Sequence, residues 1–162
     1  MCVINLAVSS ISANTVKDTM KISIFGLGYV GCVSAACLAN DGHQVTGVDV
    51  SQYKVDSIIA GKSPIIERGL DELIKKQIES GTLCATTDGQ KAVLQSDLSL
   101  ICVGTPSASN GSLNTGYVEK VCAEIGAALA KKSDYHVVVI RSTVLPTTVQ
   151  NKLIPILEES SG

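Results

Sequence analysis

Residues 21–31 read KISIFGLGYVG, and this stretch decides the fold. Lys21 to Phe25 is a short run ended by glycine, which predicts a β-strand. The glycines that follow have the spacing G-x-G-x-x-G, and they open a segment with apolar residues at helical spacing. In such a strand-turn-helix unit, Gly26 permits the tight turn, Gly28 lets the backbone approach a diphosphate, and Gly31 permits close packing of helix on strand. The stretch therefore predicts a dinucleotide-binding loop.

An acidic residue follows the next predicted strand, Gln44 to Val48. Asp49 lies 23 positions after Gly26, close to the spacing of about twenty at which an acid meets the adenosine ribose. Its carboxylate can accept hydrogen bonds from ribose hydroxyls and would repel a 2′-phosphate, so NAD is predicted rather than NADP. Lys54, in the first turn of the following helix, either reaches the same ribose or the phosphates or is a solvated surface lysine.

The rest of the chain continues the alternation of strands and helices. Strands are predicted at 83–86, 97–103 and 136–140, and helices at 29–40, 51–61, 69–79, 117–131 and 147–159. Pro155 is expected to kink the last helix or to fall near its start. The pattern predicts an α/β domain, a doubly wound parallel sheet of the Rossmann type with helices on both faces. We expect it to be truncated before a sixth strand, because the chain ends after the helix that would lead into it.

Ligands of such sheets bind at the carboxyl ends of the strands, where the strand order reverses. Thr105 and Thr143 each follow a predicted strand end. There, a hydroxyl either touches the nicotinamide half of the cofactor or caps the next segment.

Composition narrows the function classes. The 162 residues suffice for one domain, with 45% hydrophobic and 17% charged residues. Lys and Arg number 13 against 15 Asp and Glu, without a basic block, which argues against nucleic acid as a partner. We expect no membrane span, because no apolar run approaches about eighteen residues. The six cysteines contain no C-x-x-C pair, so no metal site is expected and a reducing cytoplasm is the natural setting.

Two units are expected along the chain. Residues 1–19 are predicted to be a leader, disordered or non-native, because they fit neither a secretory signal nor an arginine-rich presequence. Residues 20–162 are predicted to form the dinucleotide-binding domain.

Several segments resemble one enzyme family. Residues 21–31 look like the opening of the nucleotide-sugar 6-dehydrogenases, the UDP-glucose and GDP-mannose group. The segments GVDV at 47–50, GKSPI at 61–65, VGTP at 103–106 and RSTVLP at 141–146 are similar to that group in order and spacing, and the last two are nearest to its GDP-mannose branch. Arg68 is a departure, because the family usually has proline there, and it affects only the local turn.

The resemblance implies a function and a set of contacts. The contacts to NAD would be made by Tyr29, Val30, Asp49, Lys54, Thr105 and Thr143. The family oxidises the C6 alcohol of a nucleotide sugar to a carboxylate in two NAD-dependent steps. For GDP-mannose the product is GDP-mannuronate, an alginate precursor. The resemblance also implies a cytoplasmic enzyme that is a homo-oligomer at full length.

The family's catalytic cysteine and lysine lie downstream of the matching region. No catalytic residue is therefore assigned in this chain, which we expect to be inactive alone. Two alternatives stay open at this stage. One is a sister enzyme acting on UDP-glucose or another nucleotide sugar, and the other is a non-catalytic module that senses NAD.

Overall fold

The computed structural model describes residues 2–6, 19–107, 109 and 111–162 of the chain. Within them a six-stranded sheet has the order β1-β6-β5-β2-β3-β4. Its strands are β1 (Cys2–Leu6), β2 (Lys21–Phe25), β3 (Gln44–Val48), β4 (Leu83–Thr86), β5 (Leu98–Ile101) and β6 (His136–Ile140). The pairs from β6 through to β4 are all parallel, while β1 runs antiparallel to β6 at the edge. The predicted parallel sheet is confirmed.

Helices cover both faces of this sheet. They are α1 (Tyr29–Asn40), α2 (Gln52–Ile59), α3 (Leu70–Glu79), α4 (Gly89–Leu94), α5 (Gly116–Leu129) and α6 (Ile154–Ser161). One core cluster packs residues of α1 and α3 against the sheet, with Ala35, Ala36 and Ile74 fully or almost fully buried. A second cluster packs α4, α5 and α6 against the sheet, around Ile125 and Leu157. The doubly wound architecture is therefore confirmed.

The strand order reverses beside β2. The chain runs from β2 to β3 and β4 on one side, and then crosses to β5 and β6 on the other. The loops that leave β2 and β5 consequently diverge to opposite faces at their carboxyl ends. This divergence opens a crevice, and in open α/β sheets such a crevice is where ligands bind.

Strand β5 and helix α4 differ from the sequence expectation. The strand predicted at 97–103 is shorter, Leu98–Ile101, because the chain leaves the sheet after the Cys102 amide bonds the Phe25 carbonyl at 2.8 Å. The sequence pattern does not predict α4, whose six residues are too few to show an apolar repeat. This helix begins at a cap, where the Asp88 carboxylate accepts from the Lys91 amide at 2.9 Å.

The segment predicted as one helix at 147–159 has two parts. Val149–Leu153 is π-helical, and α6 follows it directly. Pro155 lies in the first turn of α6, where a missing N–H costs no helical hydrogen bond. The expectation that Pro155 falls near a helix start is confirmed.

Part of the predicted leader is described as a strand. Cys2–Leu6 forms β1, paired with β6 from Cys2 beside Ile140 to Leu6 beside His136. The backbone edge of β6 offers these residues hydrogen-bonding partners, and the prediction of a disordered or non-native leader stays a prediction. The remainder of the leader prediction, at residues 1 and 7–18, lies outside the described residues.

Candidate cofactor site

The glycine loop leaves β2 and enters α1 in a tightly closed conformation. Gly26 has φ +97°, in the left-handed region that side chains rarely adopt, and its amide bonds the Val48 carbonyl at 2.7 Å. At Gly31 an added Cβ would lie 1.8 Å from the Gly26 carbonyl oxygen and 3.3 Å from the Cys102 Cβ. Glycine at 31 is therefore required by the loop folding back on itself, in addition to the predicted packing of helix on strand.

Gly28 differs from its two neighbours in the motif. Its φ is −82°, and an added Cβ would meet nothing within 4 Å. Gly104, after β5, is open in the same way and lines the same crevice. The fold itself does not need glycine at either position. The bare backbone at Gly28 and Gly104 leaves open space in the lining of the crevice.

The first turn of α1 faces this space. The helix begins after Gly28, and no side chain of the described residues caps it. The first amides of a helix have no partner within the helix and carry the positive end of its dipole. They can therefore receive the oxygens of a diphosphate.

Asp49 connects β3 to the glycine loop. The side chain is 7% exposed, and its Oδ2 atom accepts from the Leu27 amide at 2.7 Å. Oδ1 accepts from the Ser51 amide at 2.9 Å, and the Lys54 ammonium lies 3.0 Å from Oδ2. A carboxylate offers about four acceptor sites, so this arrangement leaves about one for a ribose hydroxyl unless Lys54 moves aside.

A cleft of about 340 Å³ lies over these residues. It brings together four of the predicted site residues: Gly26, Gly28, Asp49 and Lys54. Its other walls come from the ends of β4 and β5 and from one face of α5. Those walls are formed by Thr87, Cys102, Val103, Gly104, Tyr117, Lys120, Val121 and Glu124.

The other five predicted residues do not line the cleft. Tyr29 and Val30 are 56% and 43% exposed in the first turn of α1, and Gly31 is buried below them. The Thr105 hydroxyl donates to the Thr143 carbonyl at 2.8 Å, which ties together the loops after β5 and β6. The structure thus brings the two threonines together, although neither lines the cleft.

Cys102 is the cysteine nearest to the site. Burial raises the pKa of its thiol to about 11, so it is a neutral thiol at physiological pH. This fits a packing role better than a nucleophilic one. Within residues 19–107, 109 and 111–162, no three His, Cys, Asp or Glu side chains are grouped so that they could hold a metal ion. The same residues contain no helix long and apolar enough to cross a bilayer.

The contribution of α5 to the cleft was not predicted from the sequence. Tyr117, Lys120, Val121 and Glu124 recur three and four positions apart, so they share one face of the helix. The signal was present as two charged residues on a face that is otherwise apolar. This pattern predicts a cleft wall only if it is already known that this face of α5 borders the crevice.

A family model for the UDP-glucose/GDP-mannose dehydrogenase family, NAD binding domain, matches residues 20–162. The chain belongs to this family. NAD is accordingly the cofactor indicated for the cleft, and the open backbone at Gly28, the uncapped amides of α1 and the carboxylate of Asp49 fit its diphosphate and ribose.

Two curated relatives illustrate the similarity. The chain is 59% identical over 143 residues to the GDP-mannose 6-dehydrogenase of Pseudomonas aeruginosa, and 41% identical over 143 residues to a UDP-glucose 6-dehydrogenase of Haloferax volcanii. Each match covers 88% of this chain and 33% of the relative. The chain thus spans about a third of the length of these relatives.

Solved structures agree with this assignment. A ternary complex of GDP-mannose dehydrogenase from Pseudomonas aeruginosa superposes with a TM-score of 0.87 at 59% identity, over 88% of this chain and 33% of that one. A UDP-glucose dehydrogenase from Pyrobaculum islandicum superposes with a TM-score of 0.86 at 34% identity, over 95% of this chain and 35% of that one.

Proposed function

We propose that this chain is the NAD-binding part of an oxidoreductase that oxidises C6 of GDP-mannose to GDP-mannuronate in two NAD-dependent steps. The observation that carries the proposal is the cleft beside Gly28 and Asp49, which combines bare backbone, uncapped helix amides and a buried carboxylate. When bound, NAD supplies the hydride acceptor, and the chain supplies binding and orientation.

Each predicted residue has a proposed role. The backbone at Gly26, Gly28, Tyr29, Val30 and Gly31 surrounds the diphosphate, with Tyr29 held by a hydrogen bond from its hydroxyl to the Ile66 carbonyl. Asp49 accepts from the adenosine ribose, and Lys54 stays beside it to balance its charge. Thr105 and Thr143 border the nicotinamide half, where their mutual hydrogen bond holds the two loops in register.

The choice of GDP-mannose rests on degree of similarity. The relatives named GDP-mannose 6-dehydrogenase from Pseudomonas aeruginosa and Azotobacter vinelandii are 59% and 57% identical to this chain, against 41% for the UDP-glucose enzyme of Haloferax volcanii. We further propose that the full-length enzyme is a cytoplasmic homo-oligomer that supplies an alginate precursor. Residues 20–162 would be its cofactor domain, and residues 1–19 a leader.

Binding is the first test. Calorimetric titration of the chain with NAD and NADP at equal ionic strength should show tighter binding of NAD, because a 2′-phosphate would meet the Asp49 carboxylate. Equal or tighter binding of NADP would contradict the proposal. An Asp49→Asn variant is the matched control, since it removes the charge while keeping the shape, and it should narrow the difference between the two cofactors.

Activity is the second test. The chain alone should form no NADH with GDP-mannose, because it carries no assigned catalytic residue. A hybrid in which residues 20–162 replace the matching third of the Pseudomonas aeruginosa enzyme should reduce NAD in the presence of GDP-mannose. A hybrid that folds and binds GDP-mannose but forms no NADH would count against the proposed role of this domain.

A further inference from the structure

Part of the cleft lining comes from residues that were not predicted from the sequence. This part, which we call the α5 side, is lined by Val50 after β3, Thr87 after β4, and the α5 residues Tyr117, Val121 and Glu124. Val50 and Tyr117 are 99% and 55% exposed, so the α5 side is open to solvent. If Gly28 borders the diphosphate and Asp49 the adenosine ribose, the base on that ribose extends toward the α5 side. The inference therefore rests on the proposed function.

Glu124 is the acidic group on the α5 side. The side chain is half-buried, and it makes no hydrogen bond or ion pair with any other residue in the described part of the chain. Its carboxylate occupies room that exists because residue 89 is glycine, since a Cβ there would lie 2.1 Å from Glu124 Oε1 and 2.9 Å from the ring of Phe25. The local packing thus provides a place for this carboxylate without giving it a donor.

The surroundings of Glu124 are unfavourable for a charge. Burial, and secondarily the neighbouring Asp88 carboxylate, raise the pKa of Glu124. Asp88 itself caps α4 through the Lys91 amide. A partly desolvated carboxylate without a donor costs free energy, and a hydrogen-bond donor from a ligand would offset that cost.

Lys120 differs from Glu124 although both line the cleft. It precedes Glu124 by one helical turn on α5 and is exposed. Its ammonium therefore lies nearer the solvent-facing side, where long charged side chains stay hydrated. Glu124 is the residue that a base on the α5 side would meet.

We propose that Glu124 recognises the adenine base of NAD, with its carboxylate accepting a hydrogen bond from the exocyclic amino group. Thr87 and Val121 line the same side of the cleft, and Tyr117 offers an aromatic surface beside the base. Glu124 would thereby select a purine that carries a donor at position 6 over one that carries an acceptor there.

The test compares two dinucleotides that differ at that position. Nicotinamide hypoxanthine dinucleotide has an oxygen in place of the amino group of NAD. At pH 8 the ionised carboxylate can only accept, so the wild-type chain should bind NAD at least about ten-fold more tightly than the hypoxanthine analogue. Affinities are measured by calorimetric titration, so no turnover is needed.

Three variants separate recognition from folding. Glu124→Gln adds a donor, so the preference should fall to about three-fold or less, or reverse. Glu124→Asp keeps the negative charge but shortens the side chain by one methylene group. It should also lose the preference for NAD over the hypoxanthine analogue. Lys120→Gln is the matched control on the same helix face, and should keep the ten-fold preference while changing both affinities together.

The outcomes distinguish this inference from the proposed function. If the wild-type chain binds both dinucleotides equally, or if Glu124→Gln and Glu124→Asp keep the full preference, the role of Glu124 is overturned while NAD binding stands. If the folded wild-type chain binds neither dinucleotide, the proposed function fails first. Thermal melting of the unliganded Glu124→Gln variant should show equal or higher stability, because a half-buried charge is removed, whereas a merely structural Glu124 would give lower stability.

Discussion

Polar groups lie in two regions at opposite ends of the sheet, and the two regions differ in whether these groups have hydrogen-bond partners within the chain. Near the amino ends of β5 and β6, the Ser99 hydroxyl lies 2.7 Å from Ser23 Oγ and 2.8 Å from His136 Nε2. His136 Nδ1 lies 3.1 Å from both the Ser96 carbonyl and the Lys132 ammonium. In this buried network the chain satisfies its own donors and acceptors.

In the cleft at the carboxyl ends of the strands, several hydrogen-bonding groups lack a partner in the described part of the chain. The amides of the first turn of α1 have no capping side chain, Gly28 and Gly104 have open space before them, and Glu124 has no donor among the described residues. Both regions carry serine, lysine or acidic groups, so residue type does not separate them. In a structural cluster, the donors and acceptors find their hydrogen-bond partners within the chain. In a binding site, some of them are left without a partner from the chain.

The largest expected effect is at Gly31. Gly31→Ala places a Cβ 1.8 Å from the Gly26 carbonyl oxygen and should lower the free energy of unfolding by about 3 kcal/mol or more, because backbone would have to shift. Urea denaturation measures this. If the Gly31→Ala variant is as stable as the wild type and keeps the conformation of the glycine loop, the backbone around Gly26 can shift more easily than the packing indicates.

The next effect is at Gly28, and it concerns binding alone. Gly28→Val should fold with nearly unchanged stability, since nothing lies within 4 Å of the new Cβ. Its affinity for NAD should fall by about 100-fold, because the diphosphate loses its approach to the amides. Titration with NAD beside a thermal melt tests both statements. Unchanged affinity would mean that the open space at Gly28 is not the diphosphate site.

A smaller effect comes from the buried network. Burial and the nearby Lys132 ammonium lower the pKa of His136 to about 4, from an ordinary value near 6.5. The folded state therefore holds His136 neutral, while the unfolded state takes up a proton below pH 6.5. Stability is full above that pH and should fall by about 1.4 kcal/mol per pH unit as the pH drops toward 5.

Urea denaturation at several pH values measures that slope. His136→Asn is the control, because it cannot titrate and should lose the slope between pH 6.5 and 5, whatever its absolute stability. If the slope persists in the variant, another group is responsible and the network is not the pH-sensitive region.

The smallest effect is in the loop after β6. Thr147 has φ +69°, a left-handed conformation that is costly for a β-branched residue. Thr147→Gly should raise the free energy of unfolding by about 1 kcal/mol. Thr148, with φ −57°, supplies the matched control, since Thr148→Gly should be neutral or destabilising. Equal effects at both positions would refute strain at Thr147.

Much of the fold was predictable because its signals are local. Three elements have the predicted bounds: the strands Lys21–Phe25 and Gln44–Val48 and the helix Tyr29–Asn40. Each of them coincides with a run of residues that is bounded by glycine or polar residues. α4 was not predictable, because it is short and depends on the Asp88 cap. The pairing of Cys2–Leu6 with β6 was not predictable either, because it depends on an edge formed by residues 130 to 138 positions away.

The amino-acid sequence by itself determined the order of strands and helices, the glycine loop and the acid at position 49. These features follow from periodicity, backbone freedom and spacing, which neighbouring residues decide among themselves. Tertiary structure alone decided that the Lys54 ammonium pairs with the Asp49 carboxylate, that the Thr105 hydroxyl donates to the Thr143 carbonyl, and that Glu124 lines the cleft. Those contacts depend on which loops come together at the point where the strand order reverses. A local sequence pattern does not predict which loops these are.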